Sequence, residues 1–298
     1  VRIMRRGLSF SAVCGWLLVA VACCSDVCTE GTLKYQSARN ITIVSRVWKA
    51  KDKTVPTKAL VVLQHGFHWH SGYFRELASA LVEDGHVVMA PDLQGHGRSG
   101  NLDGLRGYAD RFDHYVEDLE QGVLEFVRME REAVGARKLP CFLMGESMGG
   151  TIVLRASLRP HLSGAVTGLI LSAPVIGLAE HLLPPAWMRW GLGLVSALTP
   201  RLKVPTPMDD TFDQAFGDKS WAAKARADPL VVMEPPRLRT ADEIIATTQQ
   251  ISDNMEQVSL PVLVLHGTAD ARSSADNSAE LLQRAASSDK DLKLYAGA

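Results

Sequence analysis

Neither sign of charge prevails in this chain, and that shortage removes one class of partner at once. Thirty-two lysines and arginines stand against 33 aspartates and glutamates, a net charge of −1 over 298 residues. Nucleic-acid binding rests on a basic face that neutralises phosphates, and no basic excess exists to build one. Cysteine is scarce too. Of five, Cys14, Cys23, Cys24 and Cys28 lie in or beside the first 25 residues. Cys28 and Cys141 alone do not make a disulfide framework. His68-x-His70 with Asp92 offers metal-ligand types, but no cysteine pair or His-x-x-x-His helix supplies zinc spacing. Gly95-x-Gly97 lacks the six-residue dinucleotide fingerprint and its helix. Neither metal nor cofactor is expected. No period of 20–50 residues repeats. With 46% hydrophobic and 22% charged residues, the chain reads as globular and long enough for one large α/β domain.

The first 25 residues differ from the rest. Arg2, Arg5 and Arg6 precede an apolar run from Leu8 to Cys24, and small residues lead into Asp26. This is the layout of a secretory signal peptide, with an uncleaved signal anchor as its rival. A secreted or membrane-anchored protein is expected, the alternative being a cytoplasmic or peripheral membrane location.

Downstream, apolar runs alternate with helix-period segments. Asn40 to Trp48 alternates in hydrophobicity and predicts an antiparallel edge strand after a polar spacer. Ala59–Leu63, Val87–Ala90, Leu139–Met144, Gly168–Ser172 and Pro261–Leu265 are apolar without interruption, as strands buried on both faces of a parallel sheet must be. Helices are predicted near 73–83, 108–132, 240–251 and 277–286, and a last strand at 292–295. Such alternation means a mostly parallel sheet with helices on both faces, with chemistry at the carboxyl ends of its strands. From 175 to 236 the alternation stops. Tryptophans, prolines and short apolar helical pieces suggest an insert over that edge.

The segment Cys141-Phe142-Leu143-Met144-Gly145-Glu146-Ser147-Met148-Gly149-Gly150-Thr151 stands out. An apolar strand, Gly-x-Ser-x-Gly and a helix-compatible stretch form a nucleophile elbow, in which a strained serine needs small neighbours at Gly145 and Gly149. Chance would place Gly-x-Ser-x-Gly in a chain of this composition about one time in ten, so context must carry the reading. A serine hydroxyl requires a histidine base, itself oriented by a carboxylate. Asp270 follows a buried strand in the chain order Ser…Asp…His; its competing role is an N-cap for the next helix. Backbone N–H groups of Met148 and Phe67 are the expected oxyanion donors.

Together, His65-Gly66, His70-Ser71-Gly72-Tyr73, Asp92-Leu93-Gln94-Gly95-His96-Gly97-Arg98-Ser99, Gly145-Glu146-Ser147-Met148-Gly149-Gly150, Ser172-Ala173-Pro174 and Leu265-His266-Gly267-Thr268-Ala269-Asp270 resemble the α/β-hydrolase superfamily. Within it the chain is similar to the monoacylglycerol lipase and lysophospholipase-like group, also labelled serine aminopeptidase S33-like. The resemblance covers 35–298. It implies an eight-stranded sheet, a helical lid at 175–236, and cleavage of monoacylglycerol or lysophospholipid esters, with contact to a membrane surface through lid or leader. Trp69 stands where many members carry an acidic residue, so the resemblance alone does not establish recognition of a glycerol head group. The group's base follows Tyr-x-Gly-x-x-His. This chain reads Tyr295-Ala296-Gly297-Ala298, which puts the expected histidine two positions past Ala298 and implies a truncated polypeptide with little activity of its own. Two other readings remain: an S33-type aminopeptidase or amidase, and a non-catalytic binding protein on the hydrolase fold.

Overall fold

The computed structural model describes residues 27–136, 138–177, 186–204, 219–270 and 272–298. Residues 1–26, which hold the expected leader, and the central parts of the 175–236 stretch, with His181, lie outside the described residues. Eight strands form one sheet: β1 (Cys28–Gln36), β2 (Thr42–Ala50), β3 (Ala59–Gln64), β4 (His86–Pro91), β5 (Cys141–Glu146), β6 (Gly168–Ser172), β7 (Val262–Gly267) and β8 (Lys290–Tyr295), in the order β1-β2-β4-β3-β5-β6-β7-β8. β1 pairs with β2 and β2 with β4 in antiparallel fashion; all other neighbours are parallel. Helices α1 (Arg75–Glu83), α2 (Asp113–Ala133), α3 (Met148–Ser157), α6 (Leu238–Asp253) and α7 (Ala275–Arg284) cover the sheet, while α4 (Ala186–Leu198) and α5 (Lys219–Ala227) lie in the chain between β6 and β7.

The uninterrupted apolar runs have a simple cause. Successive strand residues point to opposite faces, so a strand covered on both sides needs apolar residues at every position. Leu60, Val62, Met89, Leu143, Leu171 and Val264 pack with Val116, Val123 and Phe126 of α2 and Ile152 of α3 on one face. Val61, Leu63, Val88, Phe142, Ile170 and Leu265 pack with Phe74, Ala78 and Leu81 near α1 on the other. Each such side chain contributes about 1.5–3 kcal/mol by leaving water. The result is a rigid platform whose carboxyl edge carries the loops after β3, β4, β5 and β7.

The sheet edge differs from expectation. β2 is an inner strand, and the outermost is β1, formed by the segment read as a polar spacer. Most of β1 is exposed, so it shows no apolar alternation; its charged, polar surface suits an edge that must not recruit other chains. Tyr35 anchors it, donating its hydroxyl proton to the Asp118 carbonyl at 2.8 Å. Glu30 is a second anchor. Its carboxylate pairs with Arg46 and accepts from Trp48 Nε1 at 3.1 Å, and Arg75 Nη1 lies 2.7 Å away. Other boundaries move modestly: a 3-10 turn, Ser71–Phe74, precedes α1, and α2 starts at Asp113 because 102–110 form turns.

Glu30→Ala would leave the buried Arg46 guanidinium without its carboxylate. A loss of about 2 kcal/mol is expected, below the full penalty for a buried pair because Glu30 is half-exposed. Thermal melts should show a clear drop in Tm, with Glu30→Gln intermediate. An unchanged Tm would mean that the β1–β2 ladder alone holds the edge.

Candidate active site

β5 ends at Glu146 and α3 begins at Met148. Ser147, alone between them, has φ 54° and ψ −123°, a left-handed conformation that costs a non-glycine residue on the order of 1–3 kcal/mol. The surroundings hold it there. Ser147 N–H donates to the Ser172 carbonyl at 3.0 Å, and the Ser147 carbonyl accepts from Gly150 at 2.9 Å and Val175 at 3.2 Å. Helix and strand approach too closely for side chains. A Cβ on Gly145 would lie 2.3 Å from the Gly149 carbonyl oxygen, and one on Gly149 would lie 2.2 Å from that of Gln64. Both expected glycines are therefore required by contact.

The loop after β3 lies over this turn. A Cβ on Gly66 would sit 3.1 Å from Ser147 Cβ and 3.5 Å from Met148 N. Phe67 and Met148 thus flank the serine. Among the described residues neither N–H has a protein acceptor.

The Asp92–Ser99 loop, the most distinctive motif of the chain, braces that arrangement. Asp92 Oδ1 accepts from Ser71 N–H at 2.6 Å and Oδ2 from Arg98 N–H at 2.8 Å. Ser99 Oγ donates to the Asp92 carbonyl at 2.7 Å and accepts from Val44 N–H at 2.9 Å. His65 joins the loops: its Nε2 accepts from Leu93 N–H at 3.0 Å, so Nδ1 carries the proton and donates to the Gly66 carbonyl at 2.8 Å. Burial pushes the His65 pKa down to about 4, against the attraction of Asp92, which keeps the ring neutral. His68, His70 and Asp92 do not converge. His68 Nδ1 meets the Val232 carbonyl at 2.6 Å and His70 Nε2 meets Asp228 Oδ2 at 2.9 Å. Among the described residues no group of three metal-ligating side chains occurs.

Asp270 follows β7 and does not cap α7; Ser274 does that, accepting from Asn277 N–H. The Asp270 carboxylate closes its own turn. Oδ1 accepts from Arg272 N–H at 2.7 Å and Ser273 N–H at 3.1 Å, and Oδ2 accepts from Ser273 Oγ at 2.6 Å. His266 is buried, with Nε2 3.4 Å from Asp270 Oδ2 and Nδ1 2.8 Å from Ser278 Oγ. Partial burial alone would raise the carboxyl pKa, but the donors of His266, Ser273 and Arg272 outweigh it and hold Asp270 well below the usual carboxylate range. Sequence reasoning missed Ser273 and the His266 contact. The i, i+4 spacing of His266 and Asp270 was the available signal.

β5 and β7 flank β6, so strand spacing puts their ends roughly 10 Å apart. A hydroxyl and a carboxylate at that span need an imidazole between them. Among the described residues no side chain is hydrogen-bonded to Ser147 Oγ. Ala298, at the end of the described chain, lies beside Asp270: its carbonyl accepts from Ala269 N–H at 2.8 Å, and Thr268 N–H donates to Tyr295 at 2.9 Å. Over the other flank, Trp69 packs against Tyr73 with ring centroids 4.6 Å apart, joined by Ala225, Val231 and Met233.

The chain matches the family model for serine aminopeptidase, S33, over residues 55–298. It is 32% identical to the caffeoylshikimate esterase of Arabidopsis thaliana over 251 residues, 80% of this chain and 70% of that one. It is 30% identical to the monoglyceride lipase of Homo sapiens over 254 residues, 85% and 78% of the two chains. A soluble variant of the Saccharomyces cerevisiae monoglyceride lipase, solved with a substrate analog, superposes with a TM-score of 0.78 at 23% identity, over 93% of this chain and 89% of that one. A Bacillus coagulans carboxyl esterase solved with glycerol gives 0.72 at 20% identity and 90% coverage of each chain.

Because the folded pKa of Asp270 lies below its unfolded value of about 3.9, its stabilisation is complete above roughly pH 5 and is lost as pH falls through that folded value. Ser273→Ala removes the 2.6 Å donor. The variant should melt lower than wild type at pH 7 and lose less on acidification below about pH 2, through the folded pKa. Equal acid losses would show that Ser273 does not hold the carboxylate ionised.

Proposed function

The chain belongs to the serine aminopeptidase S33 family of α/β-hydrolases, and from that membership we propose a serine ester hydrolase in which Ser147 is the nucleophile, Asp270 orients the base, and Phe67 and Met148 N–H groups receive the oxyanion. The observation that carries the reading is the strained Ser147, φ 54°, held beneath the Gly66–Phe67 loop. A nucleophile of this kind works with a histidine base that the carboxylate orients.

The chemistry then follows in two halves. The imidazole takes the Ser147 proton as Oγ attacks the ester carbonyl carbon. The carbonyl oxygen becomes an oxyanion between the two N–H donors, where removal of one donor costs on the order of 10²–10³ in turnover. Collapse breaks the ester C–O bond, and the imidazolium protonates the departing alcohol. Water, deprotonated by the same imidazole, attacks the acyl-Ser147 ester; the acyl–Oγ bond breaks, the imidazolium returns its proton to Ser147 Oγ, and the fatty acid leaves. Asp270 remains ionised throughout, matched to a histidine that cycles through its cation.

The substrate class we infer is a monoacylglycerol, in keeping with the monoglyceride lipases among the relatives, with a lysophospholipid as the second candidate. The 175–236 insert would cover the acyl chain as a lid. In its described part Leu194, Leu198 and Leu202 are exposed by 65%, 74% and 58%, an apolar surface suited to lipid and to contact with a membrane. The leader adds a secretory or membrane-anchored location.

A fluorophosphonate probe should label Ser147 in a chain that includes the base, with the site mapped by peptide mass spectrometry. Ser147→Ala should abolish labelling and reduce kcat by about 10⁶. A panel of monoacylglycerol, lysophospholipid, p-nitrophenyl esters and aminoacyl amides separates the substrate classes. Faster turnover of amides would place the chain with aminopeptidases, and no turnover or labelling at all would favour a binding protein.

A further inference from the structure

The loop that carries Phe67 is braced from two directions, and only one of them is the Asp92 loop. The other is a short segment from more than 150 residues along the chain, Asp228–Val232, where the chain returns from α5 toward α6. His68 and Val232 exchange two hydrogen bonds: Val232 N–H donates to the His68 carbonyl at 2.9 Å, and His68 Nδ1 lies 2.6 Å from the Val232 carbonyl. A carbonyl only accepts, so His68 carries its proton on Nδ1. Burial lowers the His68 pKa, which favours the neutral ring.

His68 also has φ 75°, a left-handed conformation that a non-glycine residue keeps only when neighbours enforce it. Three further contacts fix the segment that enforces it. His70 Nε2 meets Asp228 Oδ2 at 2.9 Å. Arg106 donates to the Pro229 carbonyl at 2.8 Å and to the Leu230 carbonyl at 2.6 Å. Val231 and Val232 are buried. At Gly107 there is no room for a side chain: a Cβ would lie 2.9 Å from Val232 Cγ1 and 3.3 Å from the Phe67 ring. The Phe67 ring is packed edge-on to His68 and His96, with centroids 4.6 and 5.2 Å away. Val232, Gly107, Phe67 and His68 are thus one packed unit, and a shift of Phe67, whose N–H belongs to the preceding Gly66–Phe67 peptide, would disrupt it.

We propose that His68 is a positioning residue for the oxyanion hole, and that its Nδ1–H bond to Val232 holds Phe67, and with it the Phe67 N–H, in place. The inference rests on the reading of Phe67 as an oxyanion donor. It adds a dependence that reading does not contain: the return segment from α5 controls transition-state stabilisation without touching the reacting atoms. A small displacement of that segment would be felt as a change in kcat, since donors act only when aimed at the position of the oxyanion.

Three substitutions separate the bond from the backbone strain. Glycine accepts positive φ freely but has no donor. Asparagine tolerates the same φ and places its side-chain N–H₂ where His68 has Nδ1. Alanine has neither advantage. In a chain that includes the base, His68→Gly should lower kcat about ten- to a hundred-fold with KM changed less than about two-fold, since an interaction made only in the transition state is lost. Its affinity for a trifluoromethyl ketone, whose hemiketal oxyanion occupies the hole, should fall by the same factor. His68→Asn should recover most of both, and His68→Ala should be the weakest. Wild-type kcat in His68→Gly would overturn the proposal. So would a loss without a parallel loss in ketone affinity, or a loss that asparagine does not restore. The oxyanion reading itself is tested separately, in wild type: if the trifluoromethyl ketone binds no more tightly than the matching methyl ketone, that reading falls whatever His68 does.

Discussion

At the end of β5 three stretches of backbone come closer together than side chains allow. The Gly149 carbonyl oxygen lies 2.3 Å from where a Gly145 Cβ would be, and the Gln64 carbonyl oxygen lies 2.2 Å from the Cβ position of Gly149. This contact fixes how α3 leaves the sheet, and so fixes Ser147 at φ 54°. It works only because β3 and β5 are immobile. Buried apolar residues on both faces supply that rigidity, and the strain at one serine is small beside the sum of those burials. Rigid strands and a strained turn are parts of one solution: the platform fixes the hydroxyl in place before any substrate arrives.

The polar groups around the turn serve the same end by different means. Asp92 spends both carboxylate oxygens on backbone N–H groups of two loops, so it is a brace rather than a reagent. Asp270 likewise accepts from its own turn, yet keeps Oδ2 near Ser273 and His266 at the edge where Ala298 arrives. The family's distinctive motif is therefore structural, whereas the proposed chemistry falls to the less distinctive Asp270 loop. Motif specificity and chemical importance do not run together here.

What could be read in the sequence follows from how local each cause is. The elbow is a five-residue constraint, and the buried strands declare themselves by apolar residues at every position, so both were legible. β1 was not, because an edge strand held by Glu30 and Tyr35 has nothing apolar to alternate. The partners of the 67–70 loop were not legible either. Val232 and Asp228 come from 164 and 158 residues away, in a stretch whose irregular composition identified it only as an insert. Long-range polar pairing leaves no periodic trace, and only the folded chain reveals it.

The central claim is geometric: one serine hydroxyl stands beneath two backbone N–H groups. It is tested most directly by a crystal structure of the protein after reaction with a fluorophosphonate. The account predicts phosphorus bonded to Ser147 Oγ and the phosphoryl oxygen within about 2.7–3.1 Å of both Phe67 N and Met148 N. A phosphonylated residue other than Ser147, or a phosphoryl oxygen turned away from both amides, would contradict it.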